Sequence, residues 1–290
     1  MKVAILTDSN TGLFAEDEKK YNGLYIMSMP FMIDGENYYE GINLTHQQFY
    51  EKLKGDAEIF TSMPAIGEVV DKWEELLKEY DQIVYIPMSS SLSMSCQTAI
   101  NFARDYEGKV FVADNQRISV TQRQSVFDAL KMAQEGKNGQ EIKDYLESTK
   151  KDSSIYIMVD TLKYLKKGGR ITPAAAMIGS LLKLKPVLQI QGGKLDNYAK
   201  TLNERVARQK MIDAMKKDLE TRFAQYVSDK SMKLYVAYTN CLDKAKDFAE
   251  QIKKEIPDLE ISAIDSLSLQ IACHIGDGAI AIACAREYRG

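Results

Sequence analysis

The chain has 290 residues, more than the roughly 100–200 of a usual single-core domain, so we expect two domains. Apolar residues make up 45% and charged residues 27%, which is ordinary for a globular protein and excludes a disordered chain. The net charge is −3 and no long block of lysine or arginine occurs, which disfavours nucleic-acid binding.

No apolar run approaches the ~18 residues of a membrane span, and Met1 and Lys2 lead directly into a predicted strand. We therefore expect a cytoplasmic protein without stable membrane insertion. The four cysteines are scattered without a C-x-x-C pair, and only two histidines accompany them. Neither a zinc site nor a disulfide framework is indicated, and we expect no cofactor.

The first half of the chain predicts strands and helices in alternation. Short apolar runs predict strands at residues 3–6, 25–29, 83–86 and 110–113, and a hairpin is predicted at 33–41 around Asp34-Gly35. Helical patterns occupy residues 45–54, 64–80, 96–105, 118–135 and 140–150. This order predicts a parallel sheet in an N-terminal α/β/α, Rossmann-like domain over residues 1–153.

Polar residues follow several of these strands. Thr7-Asp8-Ser9 follows the first, and a loop with five serines in residues 89–95 follows the strand at 83–86. Ligands of open α/β sheets bind at the carboxyl ends of the strands, where hydroxyls and helix N-termini converge. The serine loop therefore fits an oxygen-binding site better than a flexible linker, whereas Asp8 fits a ligand-binding group and a helix cap equally well.

Thr61 and Ser62 precede Pro64, which is typical of the first turn of a helix. One of the two hydroxyls is expected to cap that helix. A single hydroxyl is enough for a cap, so the second one is available for another role.

The densest set of local signals lies at 161–186, with the sequence TLKYLKKGGRITPAAAMIGSLLKLKP. Gly168 and Gly169 tolerate the left-handed backbone of a helix end, and Thr172 and Pro173 predict the N-cap and first turn of a second helix. The interpretation is helix, break, helix. Arg170, between the glycines and the second helix, fits either an anion-binding site or a solvated surface charge.

The remainder predicts a C-terminal α+β domain over residues 154–290. Strands are predicted at 155–159, 234–238, 260–265 and 279–285, a hairpin at 187–198 around Gly192-Gly193, and helices at 203–226, 242–255 and 266–273. His274 stands between the last helix and a glycine loop at 276–278. A lone histidine is more often structural than ligand-binding, although the glycines suggest crowding near something bound.

Together these segments resemble the DegV family of bacterial fatty-acid-binding proteins over nearly the whole chain. The matching pieces, in order, are Thr7-Asp8-Ser9, Thr61-Ser62-x-Pro64, Ser89-Ser90-x-Leu92-Ser93, residues 165–171, Lys185-Pro186 and His274-x-Gly276-x-Gly278-Ala279. The resemblance implies a two-domain α/β protein that encloses one long-chain fatty acid in a tunnel between its domains. It further implies that this chain is not itself an enzyme. In the family, a separate ATP-dependent fatty acid kinase makes acyl phosphate from the bound acid for phospholipid synthesis.

The resemblance also assigns site residues. Thr61 and Ser62 match the pair beside the fatty-acid carboxylate, Ser93 matches the serine that holds it, and His274 matches the histidine close to the same head group. Met94 stands next to Ser93, where a glycine is usual in the family.

Arg170 is expected near the mouth of the site, where it would interact with the partner or the transferred phosphoryl group. Asp277 replaces a usual proline and adds a negative charge to the loop after His274.

Candidate walls of the tunnel are the apolar residues Ile178, Leu181, Leu182, Met27 and Met29, all of which ordinary core packing explains equally well. An alternative function is a hydrolase or acyl-transfer enzyme with Ser93 as nucleophile, His274 as base and Asp8 as the group that orients the base. The G-x-S-x-G turn of many such enzymes is not present in the sequence.

Overall fold

The computed structural model describes residues 1–55, 57–177 and 184–290. The chain divides into two units. The first consists of Met1–Thr45, Glu58–Lys151 and Tyr288–Gly290, and the second of His46–Ala57 and Asp152–Glu287. No sequence pattern indicates that residues 46–57 belong with the later part of the chain.

Up to residue 151, strands and helices alternate apart from three consecutive strands within residues 24–39. In chain order they are β1 (Val3–Asp8), α1 (Ala15–Glu18), β2 (Leu24–Met27), β3 (Pro30–Ile33), β4 (Glu36–Tyr39), α2 (His46–Lys54), β5 (Ile59–Thr61), α3 (Ile66–Leu76), β6 (Gln82–Ile86), α4 (Ser95–Ala103), β7 (Val110–Val112), α5 (Ser119–Gln134) and α6 (Gly139–Ser148). Short 3-10 helices lie at Ser9–Thr11 and Arg104–Tyr106.

The later part of the chain carries the remaining elements. They are β8 (Ser153–Met158), α7 (Lys163–Gly168), α8 (Pro173–Ala176), β9 (Val187–Ile190), β10 (Asp196–Ala199), α9 (Glu204–Glu220), α10 (Ala224–Ser228), β11 (Met232–Tyr238), α11 (Leu242–Glu255), β12 (Ile261–Ser266), α12 (Leu269–Ile275) and β13 (Ile280–Arg286).

The first unit is built on a parallel sheet in the order β2-β1-β6-β7. Successive residues of β1 point to opposite faces of the sheet and enter two different apolar clusters. Ile5 packs with Val126 of α5, and Leu6 packs with Trp73 of α3. Because helices cover both faces, β1 is buried along its whole length, which explains the continuous apolar run. The predicted parallel sheet is confirmed.

A small antiparallel sheet, in the order β4-β3-β5, also belongs to the first unit. The predicted hairpin is its β3–β4 pair, and the turn places both Asp34 and Gly35 at positive φ, 51° and 85°. Turns of this kind match the twist of paired strands and favour Asp-Gly. The third strand, β5, was not predicted, because its three residues give too short a pattern.

The second unit contains a mixed sheet in the order β10-β9-β8-β13-β11-β12, in which only β11 and β12 are parallel neighbours. One face packs against α9 and α11 through buried residues such as Met211, Phe248 and Ile282. A mixed sheet with helices on it is the α+β arrangement that the sequence predicts.

The prediction of one long helix at 203–226 is wrong in one respect, because the structure has two helices there, α9 and α10. The Thr221 side chain donates to the Lys217 carbonyl at 2.6 Å, and the Phe223 N–H reaches back to the Asp218 carbonyl at 2.9 Å. The hydrogen bond from Phe223 to Asp218 spans five residues instead of the four of an α-helix, so the regular helix ends here. Phe223 then points into the core, where it is 2% exposed.

Candidate functional site

The serine loop connects β6 to α4 in the first unit and is held by its own hydrogen bonds. The Ser89 carbonyl accepts the N–H groups of Leu92 and Ser93, at 3.0 and 3.1 Å. The Ser90 hydroxyl donates to the Asp114 carboxylate at 2.6 Å, from the loop after β7. These contacts fold the loop into a defined turn, as expected for a binding loop and not for a linker.

Ser93 is half-buried and lies two residues before the start of α4. Its hydroxyl oxygen accepts the Ser95 N–H at 3.2 Å and lies 3.1 Å from the Ser95 hydroxyl oxygen. It therefore satisfies the first N–H of α4, at the end of the helix where backbone N–H groups favour an anion. The adjacent Met94 is 66% exposed, so its side chain does not fill the interior of the loop.

Thr61 and Ser62 lie at the end of the small antiparallel sheet. Thr61 is the last residue of β5 and pairs with Phe31, while the Ser62 N–H donates to the Pro30 carbonyl at 3.4 Å. The predicted cap role is wrong, since α3 begins at Ile66 after Ala65, which makes no side-chain cap bond. Thr61 is half-buried and Ser62 exposed, positions that suit contact with a ligand.

Asp8 is completely buried at the carboxyl end of β1. Its carboxylate accepts the Met88 N–H at 2.7 Å and the Asn10 N–H at 3.0 Å, and the Gln122 amide lies at 3.4 Å. The cap interpretation is confirmed, because the Asn10 contact closes the 3-10 turn after β1. Burial raises the pKa of Asp8 to about 6, while these hydrogen bonds act to lower it.

These contacts bear on the hydrolase alternative. The Asp8 oxygens serve the backbone of Met88 and Asn10, within the first unit, and the Ser93 hydroxyl is engaged with Ser95. A nucleophile, base and orienting carboxylate would require hydrogen bonds from serine to histidine and from histidine to Asp8. The observed contacts of Asp8 and Ser93 are of a different kind and give this alternative no support.

His274 lies near the end of α12 in the second unit and packs against the backbone of α7. A Cβ atom placed on Gly168 would lie 2.2 Å from the His274 Nδ1 atom, so only glycine allows the ring to occupy this position. Burial, with a smaller contribution from the nearby Arg170 cation, lowers the pKa of His274 to about 4. The imidazole is therefore neutral at physiological pH.

Arg170 follows the helix end predicted at Gly168 and Gly169, and its guanidinium donates to the Gly168 carbonyl at 2.5 Å. The neighbouring backbone pairs with the turn between β9 and β10: the Arg170 carbonyl accepts the Leu195 N–H at 3.1 Å, and the Leu195 carbonyl accepts the Thr172 N–H at 2.9 Å. Burial lowers the pKa of Arg170. The structure thus brings His274 and Arg170 together.

The loop after His274 is crowded, as its glycines suggest. Gly276 has a φ of 84°, and a Cβ atom there would lie 2.8 Å from the Tyr164 ring. The Asp277 carboxylate forms an ion pair with the Lys54 ammonium of α2 at 3.1 Å. The negative charge that Asp277 adds is therefore offset by a cation within the same unit.

The candidate residues fall into two groups. Thr61, Ser62 and Ser93 belong to the first unit, and Arg170 and His274 belong to the second. Of the candidate tunnel walls, Ile178, Leu181 and Leu182 lie outside the described residues. Met27 packs against the cluster around Leu6 and Trp73, which favours core packing, and Met29 is 2% exposed.

Comparisons with known proteins decide the family. The family model described as "Uncharacterised protein, DegV family" matches residues 2–287. The chain belongs to the DegV family. A DegV domain-containing protein of Halalkalibacterium halodurans is 32% identical over 284 residues, 97% of each chain.

Solved structures of DegV proteins match 99% of the chain. A fatty acid binding DegV family protein from Streptococcus agalactiae has 27% identity and a TM-score of 0.87, with 99% of this chain and 100% of that chain covered. DegV, a fatty acid binding protein from Bacillus subtilis, has 28% identity and a TM-score of 0.84 with the same coverage. The α/β fold with its parallel and mixed sheets is therefore that of the DegV family.

In this DegV protein, the contacts that hold the His274 loop could not be predicted from the sequence. Lys54 and Tyr164 pack around the His274 loop, and the Tyr164 hydroxyl also donates to the Leu53 carbonyl at 3.3 Å. Only the glycines at 276 and 278 gave a signal of this crowding. Among the described residues of the DegV chain, no helix could span a membrane and no cluster of three His, Cys, Asp or Glu could hold a metal ion.

Proposed function

We propose that this protein binds a long-chain fatty acid. The observation that carries the proposal is its similarity, over 99% of the chain, to DegV proteins named as fatty acid binding, with TM-scores of 0.84 and 0.87. The similarity includes the parallel-sheet unit with the serine loop and the mixed-sheet unit with His274. Our assignment of the ligand rests on this match of whole chains and not on a single motif.

In the proposed complex, the carboxylate is bound by Thr61, Ser62 and Ser93 together with His274. Ser93 supports this role because it lies just before α4, whose N-terminal N–H groups attract a negative charge. A neutral imidazole retains one N–H that can donate to a carboxylate oxygen. Met94 is exposed beside Ser93 and is proposed to contact the first methylenes of the acyl chain.

Affinity and orientation come from different parts of the ligand. Burying an acyl chain of about 14 methylenes at ~0.8 kcal/mol each yields on the order of 11 kcal/mol before ordering costs. A charge-assisted hydrogen bond contributes ~1.5–3 kcal/mol. The acyl chain therefore sets the affinity, and the hydroxyls and the imidazole set the direction of the carboxylate.

We further propose that the protein is a carrier, and that a separate ATP-dependent fatty acid kinase phosphorylates the bound acid. Arg170 supports this role, because a guanidinium beside the neutral His274 would attract a phosphoryl group. A reaction that consumes ATP would take place in the cytoplasm. Neither Ser93 nor Asp8 is arranged for covalent catalysis, so the chain itself is assigned no catalytic step.

The first experiment identifies the ligand. Protein purified from bacteria without added lipid is denatured, and the extract is analysed by mass spectrometry; a long-chain fatty acid at near one per chain is expected. Stripped protein is then titrated with palmitate. Absence of fatty acid from the extract, together with no palmitate binding, would refute the proposed function.

The second experiment tests the head-group assignment. Ser93→Ala should weaken palmitate binding about tenfold, by the value of one charge-assisted hydrogen bond. Ser148→Ala is the matched control, because Ser148 is an exposed serine at the end of α6. If both variants bind palmitate like the wild type, Ser93 is not part of the site.

The carrier role needs its own assay. A fatty acid kinase from a bacterium that encodes DegV proteins is incubated with radiolabelled ATP and palmitate, with and without this protein. Acyl phosphate should form only when the protein is present and should fall with Arg170→Gln. Acyl phosphate made by this protein alone would instead make it an enzyme.

A further inference from the structure

Two loops meet at the carboxyl edge of the parallel sheet in the first unit. β1 and β6 are neighbours, with Thr7 paired to Ile86, so the turn after β1 and the serine loop after β6 begin side by side. The Thr7 hydroxyl donates to the Ile86 carbonyl at 2.8 Å and ties the two strand ends together. Asp8 is the next residue along β1.

The Asp8 carboxylate joins the two loops. One oxygen accepts the Met88 N–H at 2.7 Å, at the start of the serine loop, and the other accepts the Asn10 N–H at 3.0 Å, in the turn after β1. The side chain is 0% exposed. Among the contacts of the serine loop with the rest of the sheet, this one fixes the backbone where the loop leaves β6.

The position of Met88 is transmitted directly to Ser93. Ser89 follows Met88, and its carbonyl accepts the N–H groups of Leu92 and Ser93. The Ser89 N–H also donates to the Arg117 carbonyl at 2.9 Å, so Ser89 is held from two sides. The Asp8 contact to Met88 is one of the two that fix the carbonyl holding the Ser93 backbone. The path from Asp8 to Ser93 consists of the hydrogen bond from the Met88 N–H to the Asp8 carboxylate, the peptide link from Met88 to Ser89, and the backbone hydrogen bond from Ser93 to Ser89.

Keeping a carboxylate in this buried place is unfavourable for stability, since burial raises its pKa to about 6. The first four residues of β1, from Val3 to Leu6, are apolar and pack without this penalty. Asp8 carries this penalty and also holds the serine loop, so we expect it to have a functional role.

We propose that Asp8 is a positioning residue for fatty-acid binding, which fixes the start of the serine loop so that Ser93 and the N-terminus of α4 face the carboxylate of the ligand. The inference rests on the proposed function and adds a residue to it. Asp8 acts through the Met88 backbone and does not touch the ligand.

The test compares two ligands with the same acyl chain. Palmitate carries the carboxylate, and 1-hexadecanol does not. Asp8→Ala should weaken palmitate binding about tenfold and leave hexadecanol binding within about twofold, because only the head group is misplaced. Asp8→Asn keeps the shape and one acceptor oxygen and should restore part of the palmitate affinity.

A general loss of stability would weaken the binding of palmitate and of hexadecanol by the same factor. The ratio of the two dissociation constants therefore separates a positioning role from a purely structural one. Asp17→Ala is the control, because Asp17 also accepts a backbone N–H, from Phe14 at 3.0 Å, but at the start of α1. The ratio of the palmitate and hexadecanol dissociation constants of Asp17→Ala should stay at the wild-type value.

Hydrogen exchange gives a readout that needs no ligand and that the folded Asp8→Asn variant can supply. Exchange of the Met88 and Ser93 amides should accelerate in the Asp8 variants and remain unchanged in Asp17→Ala. The inference would be overturned if the exchange rates of the Met88 and Ser93 amides did not change in the Asp8 variants. It would also be overturned if both variants kept the wild-type ratio of the palmitate and hexadecanol dissociation constants. If the wild type binds palmitate, such a result leaves the proposed function standing; if it does not, both fail.

Discussion

The protonation of His274 is the most specific expectation that the structure provides. Burial and the Arg170 cation both disfavour the imidazolium and lower its pKa from 6.5 to about 4. This difference corresponds to about 3 kcal/mol in favour of the neutral ring. At pH 7 a histidine with an ordinary pKa would be about one-quarter protonated, whereas His274 would be about one-thousandth protonated.

The sign of the effect on stability follows from proton binding. Between pH 6.5 and about 4, the unfolded chain takes up a proton at His274 that the native state does not, so the free energy of unfolding falls as the pH falls. The loss amounts to about 3 kcal/mol below pH 4. Asp8 acts in the opposite direction, because its pKa is raised by burial and the native state gains its proton first. The comparison of wild type with His274→Gln isolates the histidine, since both proteins contain Asp8.

The assay is a pH titration by NMR of protein labelled with ¹⁵N-histidine. The chain has only two histidines, and a His46→Gln variant assigns their signals. Arg170→Gln should raise the pKa of His274 but keep it below 6.5, because burial is the larger cause. A bound carboxylate should raise it as well. A pKa of 6.5 or higher in the ligand-free protein would refute the packing of His274 against Gly168 and Arg170.

Two further predictions concern the surroundings of the same ring. Gly168→Ala would place a methyl group 2.2 Å from the His274 Nδ1 atom and should lower the free energy of unfolding by about 1–3 kcal/mol in denaturant titrations, whereas Gly193→Ala, with nothing within 4 Å, should have little effect. Equal losses in both variants would contradict this packing. Lys54→Gln should weaken palmitate binding up to about fivefold at low salt, because the Asp277 carboxylate loses its ion-pair partner, and Asp277→Asn should not weaken it. Weaker binding by Asp277→Asn would instead give that carboxylate a direct role.

Local signals made much of the fold predictable. The break between α7 and α8 follows from its residues alone: Gly169 takes a φ of 69° at the helix end, and the Thr172 hydroxyl accepts the Ala175 N–H at 3.3 Å ahead of Pro173 in the first turn. Caps and glycine turns depend on neighbours within four residues. The apolar runs of the parallel strands are equally local, since both faces of that sheet are covered by helices.

Contacts between distant parts of the sequence were not predictable in this way. One of the hydroxyls of Thr61 and Ser62 was expected to cap a helix, but pairing with Phe31 placed Thr61 in a strand, which is tertiary structure overriding a local preference. The ion pair between Lys54 and Asp277 joins residues that no spacing rule connects. Asp8 could be predicted as a cap, but its bond to Met88, 80 positions away, depends on β1 and β6 being neighbours.

The charged groups around His274 bear on the proposal that it contacts an anionic ligand. Two acidic residues lie close to the glycine loop, and each has a lysine partner: Asp277 with Lys54 at 3.1 Å, and Asp160 with Lys185 at 2.6 Å. If these carboxylates dominated the local potential, they would raise the pKa of His274. The Arg170 cation instead adds to burial in lowering it. Of the charged groups near the ring, Arg170 is therefore the one that acts on the imidazole, and the neutral ring keeps one N–H as a hydrogen-bond donor.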